Sequence, residues 1–138
     1  LFIGPRSQGF VDTATGQMRL QRILIPVAHS PSPLRSLTIL ASLLALLGVF
    51  PRALSFLHIG DHPPNLAACA GTTVRGEVEV MEGPLVETIL HVVQERQVDL
   101  IAMPTAGHHG FLDALRGSTT EQVLRQAPCP VLAIRTAI

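Results

Sequence analysis

The stretch RILIPVAHSPSPLRSLTILASLLALLG, residues 22–48, decides the fold class. Residues 23–27 form a short apolar run of the kind that builds a buried parallel strand. Residues 30–33, Ser-Pro-Ser-Pro, predict a helix start, and Gly48 predicts the helix end after Leu47. The helix is apolar on nearly every side, so we expect it to be buried on more than one face. A buried strand that leads into a helix is the repeating unit of an α/β fold.

The remainder of the chain continues this alternation. Further strands are predicted at residues 53–59, 77–81, 100–103 and 131–134, and further helices after Gly83-Pro84 and from Thr119 to about Gln126. The alternation implies a parallel sheet with helices on both faces, and ligands bind such sheets beyond the carboxyl ends of the strands. Residues 1–20 do not fit this plan and predict an N-terminal, hairpin-like extension to a domain at residues 21–138.

Composition excludes several classes of function. The chain has 138 residues, enough for one domain with a real core, and its formal net charge is zero with no basic block. That distribution lacks the electrostatic footprint of a nucleic-acid binder. All ten basic residues are arginine, which excludes a P-loop lysine and Schiff-base chemistry.

Compartment and membrane association are also constrained by the sequence. The apolar stretch at residues 37–50 is too short to span a bilayer, so no membrane partner is expected. No signal peptide is visible at the start of the sequence. Cys69 and Cys129 do not form a disulfide framework, which indicates a reducing cytoplasm.

The segment that follows the fourth strand carries the chemistry. Gly107 is separated by nine residues from Gly117-Ser118, at the start of the last predicted helix. Glycines and a helix N-terminus together suit a bound phosphate. Ser118 and Glu121, however, also form a capping box, which satisfies the helix without a ligand and adds a negative charge. On these residues alone, a phosphate site and a simple helix cap both remain open.

Six pieces of the chain, in their order and spacing, resemble the universal stress protein family over residues 21–138. They are RILIPV (22–27), LHI (57–59), EGP (82–84), VDLIAM (98–103), the Gly107…Gly117-Ser118 frame and APCPVL (127–132). The resemblance implies a flavodoxin-like or Rossmann-like sheet of five parallel strands in the order 3-2-1-4-5, with helices on both faces. It also implies a cytoplasmic stress-response protein that forms a homodimer through its C-terminal strand.

Some members of this family bind ATP through G-x2-G-x9-G-[S/T] after strand 4 and an aspartate after strand 1. In this chain Gly107, Gly117 and Ser118 match, whereas Pro104 replaces the first glycine and Ala28 stands where the aspartate is expected. Proline has no backbone N–H to donate, and the alanine side chain can form no hydrogen bond. The absence of one such partner costs roughly 1–3 kcal/mol of binding free energy. We therefore expect ATP or another adenine nucleotide to bind weakly, with magnesium only when a nucleotide is bound.

The site implied by the resemblance has two sides. The phosphates would contact Gly107, Gly110, Gly117, Ser118 and Thr119, and the nucleoside would contact Val27, Ala28, His29 and Met103. No metal site is expected, because His108-His109 has no partner at metal-ligand spacing. No catalytic constellation is visible either, so we predict that the protein is not an enzyme. Slow ATP hydrolysis stays open as a further hypothesis.

Two alternatives concern partners. Residues 4–12 resemble the joint before the second half of tandem universal stress proteins, which implies a second such domain as a partner. The apolar helix at residues 34–47 and the apolar last strand support the alternative function of a nucleotide-free, dimeric protein-interaction scaffold.

Overall fold

The computed structural model describes residues 1–67, 77–106 and 117–136 of the chain. Strands and helices alternate along these residues, beginning and ending with a strand. They are β1 (Arg22–Pro26), α1 (Pro33–Leu47), β2 (Ala53–Ile59), β3 (Val78–Met81), α2 (Leu85–Glu95), β4 (Leu100–Thr105), α3 (Thr119–Gln126) and β5 (Val131–Arg135). Among the described helices, none is long and apolar enough to cross a membrane.

The five strands form one parallel sheet in the order β3-β2-β1-β4-β5. β1 lies at the centre, where Ile25 pairs with Phe56 of β2 and Leu24 pairs with Ile101 of β4. The predicted fold class and strand order are therefore confirmed. Because β1 and β4 are neighbours within the sheet, their carboxyl ends lie side by side at the C-terminal end of the strands.

Alternate residues of the strands build two cores, one on each face of the sheet. Ile23 and Ile25 face one side and pack in the core that includes Leu37 and Leu40 of α1. Leu24 faces the opposite side and packs in the core that includes Ile89, Val92 and Val123 of the other two helices. The helices therefore cover both faces, as the alternating pattern predicted.

The expectation that α1 is buried on more than one face is wrong. Its buried residues occupy one stripe, namely Pro33, Ser36, Leu37, Leu40 and Leu44. The opposite side of its last turns exposes Leu43, Leu46 and Leu47, and Phe50 follows with 84% of its surface exposed. An all-apolar helix can be buried around its whole circumference only if a second layer covers it, and the described residues of this chain place no such layer on α1.

The first 20 residues run along the sheet and then form a tight antiparallel turn. Phe2 pairs with Val131 at the start of β5, and Val11 pairs with Met18. Asp12 and Arg19 form an ion pair of 2.8 Å across that turn, and the Arg19 hydrogen bond lowers the pKa of Asp12. Phe10 packs against the core on the α1 face, so this segment is attached to the domain by apolar contact as well.

Candidate functional site

A cleft of about 250 Å³ opens at the carboxyl edge of the sheet. Its floor comes from the ends of β1, β2 and β4, which carry Pro26, Val27, Leu57, Ile59 and Met103. Its walls come from Leu85 and Ile89 of α2 and from Thr119 and Thr120 of α3. The surroundings are mainly apolar with a few polar groups, and the volume is just below the range of about 300–1,000 Å³ typical of small-molecule sites.

The structure brings several of the predicted site residues into this cleft. Val27, Ala28, Met103 and Thr119 line it, and so does Pro104, which replaces the first glycine of the family motif. The nucleoside side of the predicted site and the first turn of α3 therefore meet at one place, although Ala28 and Thr119 are 91 positions apart in the chain.

Other predicted residues lie beside the cleft or outside the described residues. His29 is exposed next to the cleft, where its Nε2 atom lies 2.7 Å from the carbonyl oxygen of His62. Gly117 and Ser118 lead into α3 without being part of the cleft lining described above. The predictions for Gly107 and Gly110, and for the histidine pair between them, fall outside the described residues.

His58 and Thr120 are the buried polar residues among those that line the cleft, and His58 carries the larger polar side chain. Its Nδ1 atom lies 2.9 Å from the carbonyl oxygen of Val27, and its ring contacts the His29 ring edge-on at a centroid distance of 6.1 Å. Since a carbonyl oxygen can only accept, Nδ1 carries the proton, and the Nε2 atom of a neutral ring is then a hydrogen-bond acceptor. His58 thus ties β2 to the end of β1.

The start of α3 is capped by the chain itself. Ser118 Oγ accepts a hydrogen bond of 3.1 Å from the Glu121 N–H. The Glu121 carboxylate in turn accepts the Gly117 N–H through one oxygen and forms an ion pair of 2.7 Å with Arg125 through the other. The predicted Ser118 cap is therefore present, and the Glu121 carboxylate reaches back to the N–H of Gly117, one residue before the N-cap. It follows that a carboxylate already occupies the backbone N–H that would approach a phosphate oxygen.

Sequence reasoning did not assign Leu57, Ile59, Leu85, Ile89 and Thr120 to the cleft. Leu85 and Ile89 lie in the helix predicted after Gly83-Pro84, and their four-residue spacing is the sequence signal that they share a face. That signal cannot tell the core end of an apolar stripe from the end that borders a cleft. The sheet order is needed to make that distinction.

Metal binding finds no support in the described parts of the chain. No group of three or more histidine, cysteine or acidic residues there is arranged to hold a metal ion. In particular, the His29 Nε2 and His58 Nδ1 atoms are engaged by backbone carbonyl groups. The chemistry visible in the cleft is hydrogen bonding and apolar contact.

Comparison with known proteins identifies the family of the chain. A sequence model of the universal stress protein family matches residues 53–135, more than half of the chain. The chain therefore belongs to the universal stress protein family. The resemblance inferred from the short motifs is confirmed.

Curated relatives match over shorter stretches. Universal stress protein MJ0531 of Methanocaldococcus jannaschii is 36% identical over 62 residues, which cover 45% of this chain and 36% of the relative. Universal stress protein Slr1230 of Synechocystis sp. is 39% identical over 59 residues, which cover 43% of this chain and 21% of the relative. The matched stretch thus spans well under half the length of each relative.

Solved structures share the fold. A universal stress protein in complex with cAMP has a TM-score of 0.62 at 19% identity, covering 86% of this chain and 98% of that one. Universal stress protein UspA from Lactobacillus plantarum has a TM-score of 0.60 at 23% identity, covering 86% and 100%. At these identities the likeness establishes the architecture alone.

Proposed function

We propose that this chain is a cytoplasmic stress-response module that binds an adenine nucleotide weakly in the cleft at the carboxyl edge of the sheet. The observation that carries the proposal is the meeting of Val27, Ala28, Met103 and Thr119 in one mostly apolar cleft. Binding, rather than turnover, is the proposed activity, and the proposed assembly is a homodimer through β5. The reducing compartment is proposed from the cysteine content.

The part of the cleft proposed for the adenine base, here called the base end, suits a neutral aromatic ring. Leu57, Ile59 and Met103 supply apolar surface. A flat base that binds against them is removed from contact with water, which favours binding. His58 also lines the cleft, and because its Nδ1 atom is bound to the Val27 carbonyl oxygen, its Nε2 atom is the one proposed to accept a hydrogen bond from the amino group of adenine. The cAMP-bound relative of the same fold gives independent support for an adenine ligand in this family.

The phosphate end is the weak part of the proposed site. Glu121 holds the Gly117 N–H, so a phosphate must displace a carboxylate of the same charge sign before it reaches the backbone. Ala28 adds no hydrogen bond to the nucleoside. Magnesium would enter only as the counter-ion of a bound nucleotide, since the described residues form no metal site of their own.

Restoring the missing carboxylate tests the position of the nucleoside. Ala28→Asp should tighten the binding of magnesium-ATP by roughly tenfold to a hundredfold, because it adds a hydrogen-bond acceptor inside the cleft. Isothermal titration calorimetry on the full chain measures the affinity. Ala45→Asp, the same change at an exposed position of α1, is the matched control and should leave the affinity unchanged.

Two results would contradict the nucleotide proposal. The first is a parent chain and an Ala28→Asp variant that both give no heat with ATP or adenosine, together with a nucleotide-free acid extract. The second is an equal gain in Ala28→Asp and Ala45→Asp, because that would place the ligand outside the cleft.

A second candidate function is that of a nucleotide-free interaction module. The exposed apolar side of α1, formed by Leu43, Leu46, Leu47 and the following Phe50, favours it. Native mass spectrometry separates the two candidates. A dimer that carries no small molecule, in a chain that also fails the titration above, would support the interaction module over the nucleotide-binding module.

A further inference from the structure

The N-terminal residues 2–8, here called the strap, lie beside the outer edge of the sheet, where they contact the first residue of β5 and the segment that precedes it. Phe2 donates its N–H to the carbonyl oxygen of Val131 at 2.8 Å and accepts the Val131 N–H at 2.9 Å. Gln8 donates its N–H to the carbonyl oxygen of Pro128 at 3.3 Å. Because β5 is the last strand of the sheet, the strap covers backbone groups that β4 cannot reach.

The strap also fits closely against α3. A Cβ atom added at Gly4 would lie 2.1 Å from the carbonyl oxygen of Leu124, far inside any real contact distance. Only glycine allows the backbone to approach the helix so closely here. The strap is therefore held at its two ends by hydrogen bonds and in its middle by a close backbone contact.

The same edge is needed for a dimer through β5. The bonds to Phe2 show that the N–H and C=O groups of Val131 point outward, and the two-residue period of a strand puts those of Ala133 and Arg135 outward too. In a two-fold antiparallel pair centred on Ala133, Val131 of one copy lies opposite Arg135 of the other. This register is the one that uses all three outward residues of β5, and it requires both backbone groups that Phe2 occupies.

We propose that the strap and the β5 strand of a second copy compete for the outer edge of β5, so that the strap sets the affinity of the dimer. The inference rests on the proposed homodimer and is independent of the nucleotide. Each copy must release its Phe2 before the full ladder between two β5 strands can form. The dimer is therefore weaker than the same ladder would be without the strap.

Two substitutions weaken the strap through different atoms. Phe2→Pro removes the N–H that reaches Val131, and Gly4→Val adds a side chain where Leu124 leaves no room. Both should lower the dimer dissociation constant by roughly tenfold or more, since each chain then gives up fewer strap contacts when it dimerises. Ile3→Ser, at a side chain that is 62% exposed, is the control and should match the parent.

Sedimentation velocity over a concentration series of the full chain measures the dissociation constant, and hydrogen exchange of the Val131 amide reports on the strap. In dilute, monomeric Gly4→Val that amide should lose protection, because the displaced strap no longer offers it the Phe2 carbonyl oxygen, and it should regain protection on dimerisation. Dimers of unchanged or weaker affinity in both variants would overturn the competition while the proposed dimer stands. Monomers throughout, in every variant up to millimolar concentration, would overturn the proposed dimer and the competition together.

Discussion

Cys129 precedes β5 in a buried position, and burial together with the nearby Asp99 charge raises its pKa to about 12. An unfolded thiol has a reference pKa of 9.0, so below pH 9 the thiol is protonated in both states and its contribution to stability is fully present. Between pH 9 and 12 the unfolded thiol ionises while the folded thiol does not. The free energy of unfolding should then fall by up to about 1.4 kcal/mol per pH unit.

This alkaline loss is unusually easy to assign, because the sequence contains no lysine and no tyrosine. Denaturant unfolding of a Cys69→Ala variant between pH 8 and 12 should show the fall. Adding Cys129→Ala should flatten the pH dependence, whatever it does to the absolute stability. An equally steep fall in the double variant would show that another group is responsible.

At the scale of elements, α1 shows that an apolar residue of a helix is not necessarily buried. Leu40 is 1% exposed and packs in the core, whereas Leu46 is 83% exposed on the same helix. Leu40→Ala should lower the free energy of unfolding by about 2–5 kcal/mol, because it removes buried methyl groups and leaves a cavity. Leu46→Ala, with identical chemistry and a better helix former, should change it by less than about 0.5 kcal/mol.

Urea denaturation of both variants measures the difference. Similar losses at the two positions would mean that the exposed side of α1 is covered in solution, as it would be by a stable partner or a second copy. That result would favour the interaction module, and it would be expected to depend on protein concentration.

The elements themselves were largely predictable from the sequence. Short apolar runs such as residues 53–59, and stop signals such as Gly48, led to boundaries within one or two residues of the observed ones. Strand order was not accessible in this way, because alternation fixes the parallel sheet but leaves several orders open. It came from the family resemblance. The exposed side of α1 was missed because hydrophobicity alone does not show whether a covering layer exists.

The candidate site was only partly predictable for a similar reason. Val27, Ala28 and Met103 were assigned through the family resemblance, and the structure places them in the cleft at the carboxyl ends of the strands. Ser118 and Glu121 were recognised as a capping box, but the sequence could not show which atoms the Glu121 carboxylate engages. The structure adds that detail, and it bears directly on phosphate binding.

At the scale of the whole molecule, the cleft exists only when the sheet is complete. Ala28 follows β1, His58 belongs to β2 and Thr119 begins α3, so segments distant in sequence must meet before a ligand can bind. A ligand that binds only this assembled state should stabilise the whole fold. In the described structure the part of the cleft proposed for the adenine base is apolar, whereas the N–H of Gly117 before α3 is already bonded to Glu121.

The most direct measurement is calorimetric titration of parent and Glu121→Gln with adenosine and with ATP. Glutamine retains an acceptor for the Gly117 N–H and is itself a capping-box residue, so the helix start is kept while the negative charge is removed. The exposed pair with Arg125 that is lost contributes little to stability, at most about 0.5 kcal/mol. Glu95→Gln, at the far end of α2, makes the same change in net charge and is the control.

If Glu121 occupies the phosphate end of an adenine-nucleotide cleft, Glu121→Gln should bind ATP roughly tenfold more tightly than the parent, with adenosine affinity unchanged. Glu95→Gln should match the parent for both ligands. Equal affinities for ATP in parent and Glu121→Gln, or an equal gain for adenosine, would contradict a phosphate end at the start of α3.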